Sequence, residues 1–362
     1  PTWTSAFRSG PRQTSPLGGL CLGSAAALLS GRRAFSCAAR GSPRHGLAGC
    51  WRLARPPQTL PASPWQSGSI TPAVTSRRSL SGMAESALNL FTGVAKGYVA
   101  FLVLLYVFQR KLLFMGDTVP VDPGPQGGRV ITLPTGKSDH QHAAVFFEPR
   151  AADKPVLVFF HGNADQLGWG PAFLGSTLQS THGLGFYGVE YPGYGYAKGK
   201  TSEKAIYESA EVMIRHLVND LGVSKSRIVL VGQSLGCAVA IEMATRDLGT
   251  RLVLLAPFLS TREVAGAIYS FLKPVLLLPY VIKDDFDNRG KAPTIKVPTL
   301  VLHGSEDEIV PFGQGKELAT LIPGARFEVI PNGGHNDVLD RVDVLASIAA
   351  FSEGRNLKPT VE

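Results

Sequence analysis

Short apolar runs alternate with longer amphipathic segments from about Val130 onward. The short runs are continuously apolar and rich in β-branched and aromatic side chains, which is typical of parallel strands buried on both faces of a sheet. The longer segments repeat their apolar positions at helical spacing. This pattern predicts an open, mostly parallel α/β sheet with helices on both faces.

The individual elements follow from the same pattern. Strands are expected at Ala143–Phe147, Val156–Phe160, Gly185–Glu190, Ile228–Val231, Leu252–Leu255, Leu300–His303 and Phe327–Ile330. Helices are expected at Thr201–Leu221, Ser234–Arg246 and Val338–Phe351. The residues between Pro257 and Pro298 are expected to form a small cap of one or two short apolar helices. Within this cap, Pro274–Pro279 is expected either to bind an acyl chain or touch a membrane, or to pack on the sheet.

A longer apolar segment precedes the sheet. Leu88–Phe108 contains 21 residues with one charge, Lys96, and is followed by the polar Gln109, Arg110 and Lys111. At about 1.5 Å of rise per residue, a helix of this length crosses a hydrocarbon core of roughly 30 Å. We expect a single-pass membrane anchor over residues 85–115. The alternative is an amphipathic or buried helix that covers the folded domain.

The first 84 residues differ in composition from the rest. They contain ten Arg but no Asp, Glu or Lys, and they are rich in Ser, Ala, Gly and Pro. This composition is typical of a transit peptide, which we expect to be disordered. Because the first Met is Met83, the other interpretation is that residues 1–82 are an upstream extension absent from the protein.

The predicted domains are a leader (1–84), an anchor (85–115), a folded domain (116–354) and a tail (355–362). The location is mitochondrial if the leader is real, and otherwise the endomembranes or the plasma membrane.

The positive charge belongs mainly to the leader. The whole chain carries a net charge of +8, but outside the leader 26 Lys and Arg are balanced by 28 Asp and Glu. A near-neutral domain without a basic face excludes nucleic acid as an expected partner. Cys237 is the one cysteine of the folded domain, and no Cys/His spacing suggests zinc. We therefore expect no metal or other cofactor, and we expect Cys237 to be a small core residue.

The motif Gly232-Gln233-Ser234-Leu235-Gly236 lies between a predicted strand and a predicted helix. A serine on such a sharp turn takes strained backbone angles, and side chains two positions before and after it would collide. The turn lifts the hydroxyl above the sheet at a helix N-terminus, where negative charge is favoured. We predict that Gly232, Gln233 and Gly236 form a nucleophile elbow around Ser234.

A serine nucleophile needs a base and an acid that orients the base. In this kind of elbow the chain order is serine, acid, histidine. Asp307 follows the strand ending in Gly304 with enough chain to turn back over the sheet, whereas Glu306 and Glu308 are expected to be solvated. His335 follows the last strand and two glycines. We predict a triad of Ser234, Asp307 and His335.

Two backbone N–H groups are needed for an oxyanion hole. The N–H of Leu235 follows the nucleophile directly. The second donor is expected from Asn163, in the loop His161-Gly162-Asn163 after a buried strand. His161 is expected to act through its backbone, and His303, at the end of a strand, is expected to be packed.

The motifs HGN, GQSLG, HGSEDEIVP and GGHND together resemble those of a known family. The chain is similar, over roughly Gln109–Phe351, to the single-pass, minimally capped α/β-hydrolase domain-containing proteins, including numbers thirteen and seventeen of that animal series. The resemblance implies an α/β-hydrolase fold, the triad above and an oxyanion loop at Asn163. Members similar to number seventeen remove palmitate from membrane proteins, but they carry a Cys-rich acylated N-terminus. The membrane segment and FQRKLLF found here are closer to number thirteen.

We therefore predict a membrane-associated serine hydrolase that cleaves an ester or thioester through an acyl-enzyme. The expected substrate is an acylated protein, which would make the protein a depalmitoylase, or a lysolipid or other lipid. The alternative is a catalytically silent hydrolase scaffold or a membrane adaptor. The acyl group, the acceptor and the oligomeric state do not follow from the sequence.

Overall fold

The computed structural model describes residues 78–355, with the exception of 137–139 and 277–280. Most of the leader predicted over residues 1–84, most of the tail predicted over 355–362 and part of Pro274–Pro279 lie outside these residues. The described residues comprise the predicted anchor segment and the folded domain.

The apolar segment forms one long helix, α1, from Arg78 to Leu113. Its most apolar window, within Gly82–Leu113, has a mean hydropathy of 1.8 and is not buried against the described part of the protein. By length and composition, this helix is sufficient to cross a membrane. It begins before residue 85 and continues through the polar residues 109–111, because Gln, Arg and Lys are good helix formers and basic side chains suit a helix C-terminus.

An eight-stranded sheet forms the centre of the folded domain among the described residues. Its strands are β1 (Arg129–Pro134), β2 (Gln141–Phe147), β3 (Val156–Phe160), β4 (Gly185–Val189), β5 (Ile228–Gln233), β6 (Arg251–Leu255), β7 (Thr299–Gly304) and β8 (Arg326–Ile330). Their spatial order is β1-β2-β4-β3-β5-β6-β7-β8. Strand β2 is antiparallel to β1 and β4, and the remaining pairs are parallel.

Helices cover both faces of this sheet. Within the described residues, the other α-helices are α2 (Gly170–His182), α3 (Glu203–Asn219), α4 (Leu235–Thr245), α5 (Thr261–Ile268), α6 (Lys273–Leu276), α7 (Asn288–Lys291), α8 (Phe312–Leu321) and α9 (Val342–Ser352). Alternate residues of β3 belong to two different buried clusters: Val158 packs with residues of α3 and α4, and Leu157 with residues of α2 and α9. The predicted mostly parallel α/β sheet is therefore confirmed.

Two helices of the sheet layers, α2 and α8, were not predicted. Each contains two glycines, which lower helix propensity by about 1 kcal/mol apiece. Packing explains the glycine at position 175 of α2, because a Cβ there would lie 2.6 Å from the ring of Phe147. A short residue is needed there for α2 to reach the sheet, so tertiary contact outweighs local propensity. Strand β1, at the start of the patterned region, was also not predicted.

The closing helix differs from the prediction of one helix over Val338–Phe351. A short 3₁₀ turn covers Val338–Asp340, and α9 begins only at Val342. Between them Arg341 is extended, with φ −89° and ψ 125°, and its guanidinium donates to the carbonyl oxygen of Pro331 at 2.8 Å. This long-range contact favours an interruption of the helix at Arg341, which the apolar pattern does not indicate.

Candidate active site

Ser234 lies on the turn between β5 and α4. Its backbone has φ 51° and ψ −116°, a positive φ that is unusual for a residue with a side chain. The backbone is held there by Ser234 N–H donating to Leu255 O at 2.9 Å and by Cys237 N–H donating to Ser234 O at 2.9 Å. The turn therefore presents the Ser234 hydroxyl beyond the end of the sheet, as the motif predicts.

The two glycines of the motif are required by close approaches of the backbone. A Cβ on Gly236 would lie 1.9 Å from the carbonyl oxygen of Phe160, the last residue of β3. A Cβ on Gly232 would lie 2.4 Å from the carbonyl oxygen of Gly236. Gln233 ends β5 between them. Glycine at both positions thus lets α4 start directly over the sheet.

Cys237 lies beneath this turn and is fully buried. Its Sγ is 3.1 Å from Gly232 O and 3.2 Å from Leu255 O. Burial raises the pKa of the thiol well above its ordinary value. The structure therefore confirms a small core residue at this position.

His335 connects the other two predicted triad members. Its Nε2 is 3.0 Å from Ser234 Oγ, and its Nδ1 is 2.8 Å from Asp307 Oδ2. A neutral imidazole with the proton on Nδ1 donates to the carboxylate and accepts from the hydroxyl. The structure thus brings Ser234, His335 and Asp307 into one hydrogen-bonded chain, although they lie far apart in the sequence.

The carboxylate of Asp307 is fixed by its own loop. Its Oδ1 accepts hydrogen bonds from the backbone N–H groups of Ile309 at 2.9 Å and Val310 at 2.8 Å. Its side chain is fully buried, while Glu306 and Glu308 are exposed. Of the three neighbouring carboxylates, only Asp307 therefore reaches the histidine.

His303 also contacts Asp307, which sequence reasoning missed. Its Nε2 lies 3.2 Å from Asp307 Oδ2, and both side chains are fully buried. Burial by itself would raise the pKa of Asp307, but hydrogen bonds from His303 and His335 outweigh it and hold this pKa well below its usual range. The residue order offered a signal, since His303 and Asp307 flank the end of one strand.

A pocket of about 590 Å³ opens in front of Ser234 and His335. Its walls include apolar side chains from several elements, among them Leu113, Phe173, Leu174, Phe258, Val264 and Leu339. Phe173 is 57% exposed, so the pocket has an apolar rim. A mostly apolar cavity of this size suits a hydrocarbon chain better than a polar group.

The two predicted oxyanion residues, Asn163 and Leu235, both line this pocket. Across the described residues, the backbone N–H of neither one donates to a protein acceptor. Leu235 is the first residue of α4, where backbone N–H groups lack partners within the helix. Both groups are therefore available to an atom bound in the pocket.

A buried ion-pairing contact supports the loop that carries Asn163. His161 Nε2 lies 2.9 Å from Glu190 Oε1, with both side chains fully buried. The other oxygen of Glu190 accepts from the N–H of Leu167 at 3.2 Å. Sequence reasoning assigned His161 a backbone role only and did not single out Glu190. Its position directly after a buried strand was the available signal.

Among residues 78–355, apart from the two gaps, no group of His, Cys, Asp and Glu side chains is arranged to hold a metal ion.

Comparisons with known proteins agree with this architecture. A family model described as "Alpha/beta hydrolase family" matches residues 157–290, and one described as "alpha/beta hydrolase fold" matches residues 260–342. An esterase of Pyrococcus furiosus, Pf2001, superimposes with a TM-score of 0.52 over 67% of this chain and 98% of that structure, at 16% identity. This likeness concerns the fold alone.

Two curated relatives are similar in sequence. The α/β hydrolase domain-containing protein aho-3 of Caenorhabditis elegans is 34% identical over 216 residues, which are 58% of this chain and 60% of the worm protein. Human α/β hydrolase domain-containing protein 17C is 30% identical over 204 residues, which are 55% of this chain and 58% of the human protein. The match thus spans less than two thirds of either relative.

The sheet order, the elbow and these matches define an α/β hydrolase fold. Between them, the two family models match residues 157–342, and the chain is a homologue of α/β hydrolase domain-containing proteins.

Proposed function

We propose that the protein is a membrane-associated serine hydrolase that cleaves an ester or thioester. One observation carries this proposal: Ser234, His335 and Asp307 form a continuous hydrogen-bonded chain, and Ser234 and His335 line an apolar pocket. This arrangement supplies a nucleophile, a base and an acid that orients the base.

The reaction proceeds in two halves. Ser234 Oγ attacks the acyl carbon and its proton passes to His335 Nε2. The oxyanion that forms is held by the N–H groups of Asn163 and Leu235. His335 then protonates the departing alcohol or thiol, which leaves an acyl-serine. A water molecule, deprotonated by His335, attacks this acyl group and releases a carboxylic acid, with the proton returned to Ser234.

Asp307 orients the imidazole throughout. Its carboxylate accepts a hydrogen bond from the Nδ1–H group of His335 and stabilises the imidazolium that forms in each half. The low pKa of this buried carboxyl supports the role, because a charged acceptor is then present at neutral pH.

The apolar pocket and the long helix α1 favour a substrate with an acyl chain. An acylated protein or a lysolipid combines such a chain with an ester or thioester bond. Helix α1 would hold the domain at the membrane where both occur. Alkaline carbonate extraction tests the anchoring: the full chain is expected to stay with the membrane pellet, and release into the supernatant would contradict it.

Labelling with a fluorophosphonate tests the nucleophile. We expect the full chain to be labelled and Ser234→Ala to lose the label. Ser226→Ala is the matched control, because Ser226 is exposed and its hydroxyl bonds only to Ser224 among the described residues. A wild-type chain that does not react would favour a catalytically silent scaffold instead.

Hydrolysis of p-nitrophenyl butyrate, octanoate and palmitate, together with matching thioesters, tests the substrate class. We expect kcat/KM to rise from butyrate to the longer chains. A maximum at butyrate would count against an acyl-lipid or acyl-protein substrate while leaving the serine chemistry in place.

A further inference from the structure

The chain immediately after α1 lies against the loop that carries Asn163. We call the last residue of α1, Leu113, and the four residues that follow it, up to Asp117, the post-helix segment. The Asn163 side chain bridges to it twice: Nδ2 donates to Leu113 O at 2.5 Å, and Oδ1 accepts from Met115 N–H at 3.1 Å. Leu113 and Met115 also line the pocket. The end of the long helix is therefore part of the pocket wall.

Tyr194 holds the same amide from the other side. Its hydroxyl donates to Asn163 Oδ1 at 2.9 Å, and its side chain is almost fully buried. Its ring also packs against the post-helix segment so closely that a Cβ on Gly116 would lie 2.1 Å from a ring carbon. A further bond, from Gly195 N–H to Asp117 O at 2.8 Å, fixes the segment on the Tyr194 loop.

The helix end is itself tied to the folded domain. Arg110 forms a two-point contact with the buried carboxylate of Asp284, with distances of 2.6 and 3.0 Å. Gln109 donates to Val281 O at 3.2 Å and accepts from Lys283 N–H at 2.7 Å. The contacts of Gln109 and Arg110 fix one end of the post-helix segment, and the bond from Gly195 fixes the other. The residues that contact Asn163 lie between these two ends.

We propose that Asn163 is a positioning residue that couples the end of helix α1 to the oxyanion hole. Its side chain is held by Leu113, Met115 and Tyr194, so that its own backbone N–H is fixed where the oxyanion forms. A preorganised donor stabilises a transition state only if it is held at the correct place before the reaction. The inference rests on the proposed function, since it concerns the oxyanion hole of that reaction.

Two substitutions at Asn163 test this role in the full chain in detergent. Asn163→Ala removes every side-chain contact, and we expect kcat for p-nitrophenyl octanoate to fall up to about 100-fold, since a displacement near 1 Å is sufficient for such a loss. KM should change little, because the acyl chain still fills the pocket. Asn163→Asp keeps the volume and Oδ1 but replaces the donor to Leu113 O by a second acceptor, and kcat should also fall.

Gly116→Ala tests the segment without touching Asn163. The added methyl would collide with Tyr194, which moves the post-helix segment and lowers kcat. Gly97→Ala is the matched control, because a Cβ on Gly97 meets nothing within 4 Å. Thermal unfolding of each variant separates a folded enzyme with low kcat from an unfolded one. If Asn163→Ala does not fold, the kcat values of Asn163→Asp and Gly116→Ala test the coupling instead.

The outcomes distinguish the two proposals. If the wild-type chain is not labelled by fluorophosphonate, the proposed function fails and the coupling fails with it. If the wild type is labelled and Ser234→Ala is not, the function stands. The coupling is then supported by a fall in kcat for folded Asn163 and Gly116 variants. It is overturned if these variants keep the wild-type kcat, or if only KM rises.

Discussion

The imidazole of His303 lies in direct contact with the carboxylate of Asp307, with Nε2 3.2 Å from Oδ2. The same carboxylate oxygen is 2.8 Å from Nδ1 of His335, so two imidazoles share it. His303 Nε2 also lies 3.1 Å from the carbonyl oxygen of Val310. Since both neighbours are acceptors, Nε2 of His303 carries a proton and serves as a donor to the acid.

Replacing His303 should impair the reaction through Asp307. For His303→Leu we expect kcat to fall roughly tenfold, because a charge-assisted hydrogen bond worth about 1.5–3 kcal/mol is lost at the carboxylate. His303→Gln is the matched variant, since its Nε2 keeps a donor near the same place, and it should retain more activity. Steady-state kinetics of both variants checks this. Equal kcat in the two variants would contradict the role of the donor.

The low pKa of Asp307 predicts a particular dependence of stability on pH. Its pKa in the folded protein lies below the value of about 3.9 expected in the unfolded chain. The carboxylate therefore contributes stability that is fully present above the unfolded pKa and is lost as the pH falls through the folded one. We expect the difference in free energy of unfolding between wild type and Asp307→Asn to be constant above about pH 5 and to shrink by about pH 3. Urea unfolding of both proteins between about pH 3 and pH 7 measures this difference. A difference that grows as the pH falls would contradict a lowered pKa of Asp307 in the folded protein.

Gly236 should not tolerate even a methyl group. For Gly236→Ala we expect loss of fluorophosphonate labelling and a decrease of about 1–3 kcal/mol or more in the free energy of unfolding, because the Cβ would overlap the carbonyl of Phe160. Gly313→Ala is the control, since a Cβ there meets nothing within 4 Å. Labelling of Gly236→Ala at the wild-type rate would show that the close approach of α4 to β3 is not needed.

The contact between Arg110 and Asp284 should stabilise the junction of α1 with the folded domain. Arg110→Ala leaves the buried Asp284 carboxylate with the backbone N–H of Glu203, at 2.9 Å, as its remaining described donor. We expect the free energy of unfolding to fall by about 1–3 kcal/mol, less than for a fully buried pair because the Arg110 side chain is half exposed. Asp284→Asn combined with Arg110→Ala should recover part of the loss. Urea unfolding in detergent of the wild type, of the two single variants Arg110→Ala and Asp284→Asn, and of the double variant measures this, and additive effects would argue against a direct coupling.

Narrowing the pocket should change the chain-length preference. Val264 lies on α5 and lines the pocket. For Val264→Phe we expect kcat/KM for p-nitrophenyl palmitate to fall more than that for the butyrate, because the larger ring takes up space needed by the longer chain. Val212→Phe, on the exposed face of α3, is the control. An equal decrease for both esters would place the acyl chain elsewhere.

Much of the architecture follows from local patterns of residues. Apolar runs predicted seven of the strands, because a strand buried on both faces needs an apolar residue at nearly every position. The edge strand β8 is the exception, since most of its residues are only partly buried. The elbow was also recognisable, since glycines on either side of a serine between strand and helix meet a steric requirement that is local to the turn. Chain order then favoured Asp307 and His335, and the structure brings both within hydrogen-bond distance of their partners.

Other features depend on residues that meet only after folding. The side chain of Asn163 contacts the chain just after α1, His303 contacts Asp307, and Arg341 ends a turn by bonding to Pro331. Helix α2 likewise depends on tertiary packing, because Gly175 lets it approach the ring of Phe147 on β2. Apolar periodicity and turn chemistry act between near neighbours and are therefore readable along the chain. Hydrogen bonds between loops depend on distances that the packing of the sheet and helices sets, so only the tertiary structure decides them.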